Sequence, residues 1–192
     1  VPEIPTCNVV GAAVMTMYPQ NGVKGRISRW AFKVGRESRP YRLAGRPLPR
    51  VLRLQYAVAD KLVFSKLKAR LGGRMRFMIS GSAKLSRQVQ EWFYSADITI
   101  VEGFGATETA AITFLNLPDR PRFGTVGPVI PGLQTKLDDD GEVLVSGPTI
   151  ARGYHHLPEE TREAFDDGWY RTGDIGVLDS DAVFVSPKGG LM

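Results

Sequence analysis

MRFMISGSAKLSRQVQEWFYSADITIVEGFGATET, Met75 to Thr109, is the stretch that decides how this chain folds. MRFMIS, Met75 to Ser80, is a short apolar run of the kind that forms a buried strand. It ends in Gly81-Ser82-Ala83 and gives way to a helical segment from about Ser86 to Tyr94, with Ser86 placed to cap it. ITIVE, Ile98 to Glu102, reads as a second strand and delivers the chain to GFGATET. Strand, turn, helix and strand in this order predict a βαβ unit with parallel strands in one sheet. Ligands of such sheets sit beyond the carboxyl ends of the strands. Gly81-Ser82-Ala83 and Gly103-Phe104-Gly105 both stand at those ends, so the two turns are expected to face one cleft.

GFGATET raises a chemical question of its own. Glycines let the backbone turn sharply and let a ligand approach it closely. Thr107, Glu108 and Thr109 directly behind them, opening a helix, offer hydroxyls, backbone N–H groups and one metal-seeking carboxylate. That set suits a phosphate carrying a magnesium ion. It equally suits a plain strand–turn–helix whose threonine is an N-cap. The stretch by itself leaves both readings open.

Upstream, Val51, Leu54, Val58 and Leu62 recur at helical spacing, and Leu67 and Leu71 continue the stripe after a small offset. Pro49 before this helix and Gly72-Gly73 after it are start and stop signals. Downstream of about residue 120 the texture changes. Prolines 118, 121, 128 and 131 punctuate the chain, and Asp140-Gly141 between two apolar runs predicts a hairpin. LPEETREAF predicts one short helix starting at Pro158, and WYRTGDIGVL and AVFVS predict further strands. The expected fold is therefore α/β. Residues 1–120 form a parallel βαβ layer behind a basic helical half, and residues 121–192 form a mostly antiparallel β subdomain.

The chain has 192 residues, 43% hydrophobic and 23% charged, an ordinary globular composition able to bury a sizeable core. No apolar run approaches the roughly 20 residues of a transmembrane helix. The N-terminal VPEIPTCNVVGAAVMTMYPQ has no basic region before its apolar centre, so no signal peptide is expected. Cys7 alone makes no internal disulfide, and with only His155 and His156 beside it no zinc site is expected. A reducing, cytoplasmic setting is the default expectation. Charge is uneven: residues 1–90 hold 18 Lys and Arg against 3 Asp and Glu, and residues 91–192 hold 7 against 17. Either the first half meets an anionic partner, such as a membrane surface or a phosphorylated cofactor, or its cations pair with the acidic half. No helix-turn-helix or aromatic-studded strand points to nucleic acid.

GFGATETA, GEVLVSGPTIARGYH and GWYRTGD, in this order, resemble core motifs of the AMP-forming adenylating enzymes. Within them the chain is most similar to bacterial long-chain fatty-acid–CoA ligases, over roughly residues 24–181, including the long helix and GTVGPVIPG. The resemblance implies ATP, Mg²⁺, a fatty acid and coenzyme A as reactants, joined through an acyl-adenylate with release of pyrophosphate and then AMP. It implies that Thr107 bonds the α-phosphate and that Glu108 holds Mg²⁺. Phe104, where many relatives have tyrosine, would give adenine a flat apolar face. Gly81, Ser82 and Ala83 would line the adenine, Gly103 and Gly105 would let the nucleotide approach, and Asp174 would accept hydrogen bonds from the ribose hydroxyls. Gly153-Tyr154 is expected to be structural, His155 and His156 to lie on the surface, and Trp92, Phe93 and Tyr94 to face a core. Ile100 and Val101 suit either a fatty-acid channel or plain sheet core.

The departures from that pattern matter equally. The family's Ser/Thr/Gly-rich phosphate loop does not precede the first glycine turn, and SPKGG, Ser186 to Gly190, has the wrong neighbours to replace it. The glycine-arginine hinge and the small C-terminal domain with its catalytic lysine do not follow Asp174. The chain is thus expected to be a central segment of such a ligase, inactive in isolation and dependent on a complementing chain. The alternative is a non-catalytic nucleotide-binding pseudoenzyme fragment, or a basic module that attaches peripherally to anionic membrane.

Overall fold

The computed structural model describes residues 22–178 and 183–186. Cys7, the N-terminal segment and most of SPKGG, on which expectations were placed above, lie outside them. The chain forms two compact units interleaved in sequence. The first runs to Met78 and includes Leu85–Ile100; the second takes Ile79–Lys84 and the chain from Val101.

The first unit is helical. Helix α1 spans Gly22–Leu43, a segment without a strong sequence signal and with Pro40 inside its last turns. Helix α2, Arg50–Ala59, starts directly after Pro49, as the sequence predicts, and continues through a π-helical turn, Asp60–Phe64, into α3, Ser65–Arg70. The π turn is the physical form of the offset seen in the apolar spacing, because a wider turn shifts every later side chain around the axis. Gly72 and Gly73 close the helix by donating to Ala69 O at 3.0 Å and Lys68 O at 2.9 Å, a Schellman arrangement. Helix α4, Arg87–Ser95, begins after Ser86 at the expected place, but the Ser86 side chain makes no capping bond.

These helices bury Ala31, Val34, Ala59, Phe64, Leu67 and Phe93. Phe32 stacks on Trp92 with ring centroids 4.3 Å apart, placing the aromatic run of α4 in the core as expected. The predicted stripe divides. Val63, Phe64 and Leu67 go inward, whereas Val51 and Leu54 are 71% and 70% exposed, with Val58 and Leu62 also on the outside. Periodicity marks an apolar face and is silent on what covers it. Several cations of this unit are paired locally: Arg39 with Glu91 at 2.6 Å, Lys68 with Asp60 at 2.8 Å, and Arg42 with Asp97.

Strand β1, Met78–Ser80, strand β2, Ile100–Phe104, and strand β3, Phe114–Leu115, form a sheet in the order β1-β2-β3, with β2 and β3 antiparallel. Ile100 and Val101 are buried, so both are sheet core. In the second unit β4, Gln134–Leu137, and β5, Glu142–Ser146, form the hairpin predicted at Asp140-Gly141, pairing Leu137 with Val143. Helix α5, Pro158–Ala164, precedes β6, Phe165–Asp166, and β7, Trp169–Leu178. Strand β8, Val183–Ser186, pairs antiparallel with β7. The sheet order is β4-β5-β7-β6 with β8 on β7. Lying between β4 and β7, β5 is buried along most of its length, and Val143 and Val145 pack with Phe114 and Leu133.

The helix expected to open at GFGATET is absent. Thr107–Thr109 make a single 3₁₀ turn, and Ala110 and Ala111 then adopt φ of 56° and 87°. The left-handed pair reverses the chain, and Ala111 N–H donates to Ala106 O at 3.1 Å. Reversal so soon leaves no room for a second helical turn. The chain returns beside β2 as β3, so the expected parallel layer is a mixed sheet.

Candidate active site

The second unit contains a cleft of about 260 Å³ where its glycine turns meet β7. Ser82 and Ala83 border it from the turn after β1. Gly103, Phe104 and Gly105 border it from the end of β2. Asp174 closes it from β7. The two glycine turns therefore share one cleft, and Gly81 lies beside the carbonyl of Gly103. The half-buried Phe104 ring is tilted against Phe114, with centroids 5.8 Å apart.

Thr107 and Glu108 do not line this cleft. Thr107 is exposed on the 3₁₀ turn. Thr109, in contrast, is buried and structural: its hydroxyl accepts from Ala106 N–H at 2.9 Å and donates to Ala106 O at 3.0 Å. Of the two hydroxyls flanking Glu108, one closes the turn and the other is left to the outside.

Glu108 is held from a distance in sequence. Tyr154 donates its phenol to Glu108 Oε1 at 2.6 Å, and Ala151 N–H donates to the Glu108 carbonyl at 2.7 Å. The Tyr154 hydrogen bond holds the Glu108 carboxyl below the usual carboxylate range, and the same bond pushes the Tyr154 phenol upward. Tyr170 shares this cluster; burial first, and then the Glu108 charge, raise its phenol. Tyr154 is thus structural, as expected, and what it supports is the Glu108 carboxylate. His155 and His156 are exposed, as expected.

Asp174 shows the opposite shift. Burial, and secondarily the negative charge of Glu142, raise its carboxyl above the ordinary aspartate value. A carboxylate kept half-buried at a cleft wall is costly unless a ligand's donors reach it.

Several residues at the cleft have no role assigned from the sequence. Glu102, Lys84 and Thr172 also border the cleft. Gly124, Thr125 and Val126 reach it from a loop fixed by buried Asn116, whose side-chain amide donates to Arg122 O at 2.8 Å and Thr125 O at 3.0 Å. GTVGPVIPG was legible as a motif, but its attachment to Asn116 was not. Asp138, Asp140 and Glu142 bring carboxylate oxygens within 4.8 Å of one another. Arg171 lies 2.8 Å from Asp138 and also pairs with Glu142, so a cation of the chain itself offsets part of the charge of this acidic group.

A family model described as AMP-binding enzyme matches residues 37–155. A fatty-acid–CoA ligase of Mycobacterium tuberculosis, fadD11, is 40% identical over 161 residues, covering 83% of this chain and 28% of the relative. The long-chain fatty-acid–CoA ligase FadD15 of Mycobacterium bovis is 41% identical over 131 residues, 68% of this chain and 22% of that one. Among solved structures, apo MatB from Rhodopseudomonas palustris matches with a TM-score of 0.58 and 30% identity over 71% of this chain and 30% of its own. The anthranilate CoA ligase AuaEII, crystallised with anthranoyl-AMP, matches with a TM-score of 0.54 and 28% identity over 58% and 24%. The chain thus spans less than a third of the length of these relatives.

Proposed function

Because the chain belongs to the AMP-binding enzyme family, we propose that its cleft is an adenine-nucleotide site serving fatty-acid activation in a longer protein or a complemented assembly. One observation carries the reading: Ser82, Ala83, Phe104 and Asp174 all border a single cleft. Gly81, Ser82 and Ala83 border adenine, and Phe104 offers it a flat face. Asp174 accepts from both ribose hydroxyls, which relieves the cost of its burial. Gly103 and Gly105 leave the backbone open to the nucleotide. The exposed Thr107 hydroxyl donates to the α-phosphate. The ligase names of fadD11 and FadD15 support a fatty acid as the acyl substrate and coenzyme A as the acceptor. The carboxylate oxygen attacks the α-phosphorus and pyrophosphate leaves; the thiol then attacks the acyl carbon and AMP leaves.

Glu108 fits a magnesium ion. Its carboxyl is held acidic and therefore ionised by its phenol partners Tyr154 and Tyr170, and an ionised carboxylate is the kind of ligand a hard cation takes. Such an ion takes one or two protein carboxylates and completes its shell with phosphate oxygens and water. When bound, it neutralises charge on the phosphates. Tyr154 fixes the direction from which Glu108 would reach the metal.

Titration calorimetry with AMP tests the reading. The expected result is saturable binding that weakens with 2′,3′-dideoxy-AMP, because Asp174 would then face no hydroxyl. Absence of any AMP binding by the folded chain would refute the site.

The uncovered face of α2 supports a second reading, peripheral attachment to anionic lipid. Val51, Leu54, Val58 and Leu62 make an exposed apolar stripe, with Arg50, Arg53, Lys61 and Lys66 exposed along it. Such a face suits the plane of a lipid interface. No described helix is long and apolar enough to cross a membrane. Sedimentation with phosphatidylserine vesicles should fall as salt rises, since screening acts over about 8–10 Å. Equal sedimentation with neutral vesicles would count against it.

A further inference from the structure

The motif YRTGD does not lie flat in its strand. Leu144 of β5 pairs with Arg171 and Glu142 pairs with Ile175. Two steps along β5 therefore face four steps along β7, so Thr172, Gly173 and Asp174 include two surplus residues and form a bulge. A bulge re-aims the side chains it carries, and Thr172 and Asp174 both border the cleft. Something must hold the surplus in place, because the ladder cannot.

Glu142 does so. Its side chain is nearly buried, Oε1 accepts from Gly173 N–H at 2.8 Å, and Oε2 accepts from Arg171. Gly173 sits at φ +74°, a conformation that glycine adopts without strain. Thr172 adds a second tie, donating its hydroxyl to Val143 O at 2.8 Å and accepting from Asp174 N–H at 3.2 Å. Arg171 is itself anchored by Asp138 at 2.8 Å. The carboxylate of Glu142 is thus joined to the residues on both sides of Thr172, inside the bulge.

We propose that Glu142 is the positioning residue of the ribose site, fixing the β7 bulge through Gly173 N–H and Arg171 so that Asp174 stands at the cleft. This deepens the adenine-nucleotide reading and rests on it for the ligand, though not for the bulge. Glu142 touches no nucleotide in this arrangement; it acts through Asp174. Its charge also opposes ionisation of Asp174, so the same residue that places the carboxylate sharpens its demand for donors.

The test compares the wild-type chain with Glu142→Gln, Glu142→Ala, Asp174→Ala and the Glu142→Ala/Asp174→Ala double variant. Amide hydrogen exchange, NMR titration of the Asp174 carboxyl and AMP calorimetry are measured on each, with melting as the control for folding. In Glu142→Ala, exchange at Gly173 should quicken roughly tenfold, the size of one lost charge-assisted hydrogen bond. Glu142→Gln keeps an oxygen for Gly173 N–H and should restore much of that protection while lowering the Asp174 carboxyl. AMP binding should weaken several-fold in Glu142→Ala, and the same substitution should add nothing once Asp174 is alanine. Unchanged exchange at Gly173 would overturn the proposal, as would equal losses of AMP binding in the two backgrounds. If Glu142→Ala does not fold, Glu142→Gln decides: an Asp174 carboxyl that fails to move refutes the coupling. Absence of AMP binding by the wild-type chain would refute the ribose reading alone, and exchange and titration would still decide the positioning role.

Discussion

Gly105→Ala is expected to destabilise the second unit by about 3 kcal/mol or more, seen as a large fall in the urea midpoint. A Cβ at Gly105 would stand 1.9 Å from the Ala111 carbonyl oxygen, 2.6 Å from its carbon and 2.9 Å from Ile112 Cα. All three are backbone atoms, so no side chain can swing aside. The segment they belong to cannot retreat cheaply either. Thr113 N–H donates to Phe104 O at 2.8 Å and Ala111 N–H to Ala106 O at 3.1 Å, and both bonds hold the reversal against β2. Gly103→Ala is the matched control. Its Cβ would meet the flexible Leu115 Cδ1 at 3.4 Å, an ordinary contact, and should cost under about 1 kcal/mol. Equal midpoints for the two variants would show that the chain does not cross Gly105 so closely.

That crossing explains why part of the molecule was legible in the sequence and part was not. The order strand-turn-helix-strand could be read because apolar period and glycine punctuation are local signals. The first strand, however, is confined to Met78–Ser80 and is not buried as expected: Met75, Phe77 and Ile79 are exposed, because an apolar run does not say what will cover it. The hairpin at Asp140-Gly141 and the helix at Pro158 were legible for the same reason. GFGATET was misread as a helix start because Thr-Glu-Thr has the composition of one. Nothing local announces that Ala110 and Ala111 will take left-handed conformations, which disfavour side chains. Residues strained in this way often border functional sites, and here they lie just behind Glu108.

The site divides along the same line. Glycines, Phe104, Glu108 and Asp174 stood out through motif resemblance. Tyr154 and Glu142, which hold the two acidic members, lie within the motif GEVLVSGPTIARGYH, but nothing in it ties them to Glu108 or to the YRTGD turn. Tyr154 lies 46 residues from Glu108 and Glu142 lies 31 from Gly173. Such partners are fixed by the folded sheet, so a reading based on spacing finds the groups that would touch a ligand and misses those that aim them. The outward stripe on α2 is a third case: the apolar period was real, but the direction it faces is set by α1 covering the opposite side.

Asp174→Ala should weaken AMP binding by about 1–3 kcal/mol, the range for a charged hydrogen-bond partner, or roughly 5- to 150-fold in Kd. The loss should vanish with 2′,3′-dideoxy-AMP, which has no hydroxyls for the carboxylate to accept from. Stability should move the other way. The folded protein raises the Asp174 carboxyl above its unfolded value, so Asp174 is tolerated best when protonated. Its favourable contribution is complete below the unfolded pKa and is lost as pH rises through the folded one. Asp174→Asn, which has no charge to bury, should therefore melt higher than wild type at pH 7. The advantage should shrink and disappear as pH falls below the ordinary aspartate value. Glu142 contributes to the cost by repulsion, so Glu142→Gln should lessen the gain from Asp174→Asn. A chain kept less stable by the carboxylate that binds ribose would show binding, and not folding, as the reason for an acid at that position. Asp174→Ala with undiminished AMP affinity, or Asp174→Asn melting lower than wild type at pH 7, would contradict the assignment. In either case Asp174 would be an ordinary member of the β7 bulge, held there for the strand and not for a nucleotide.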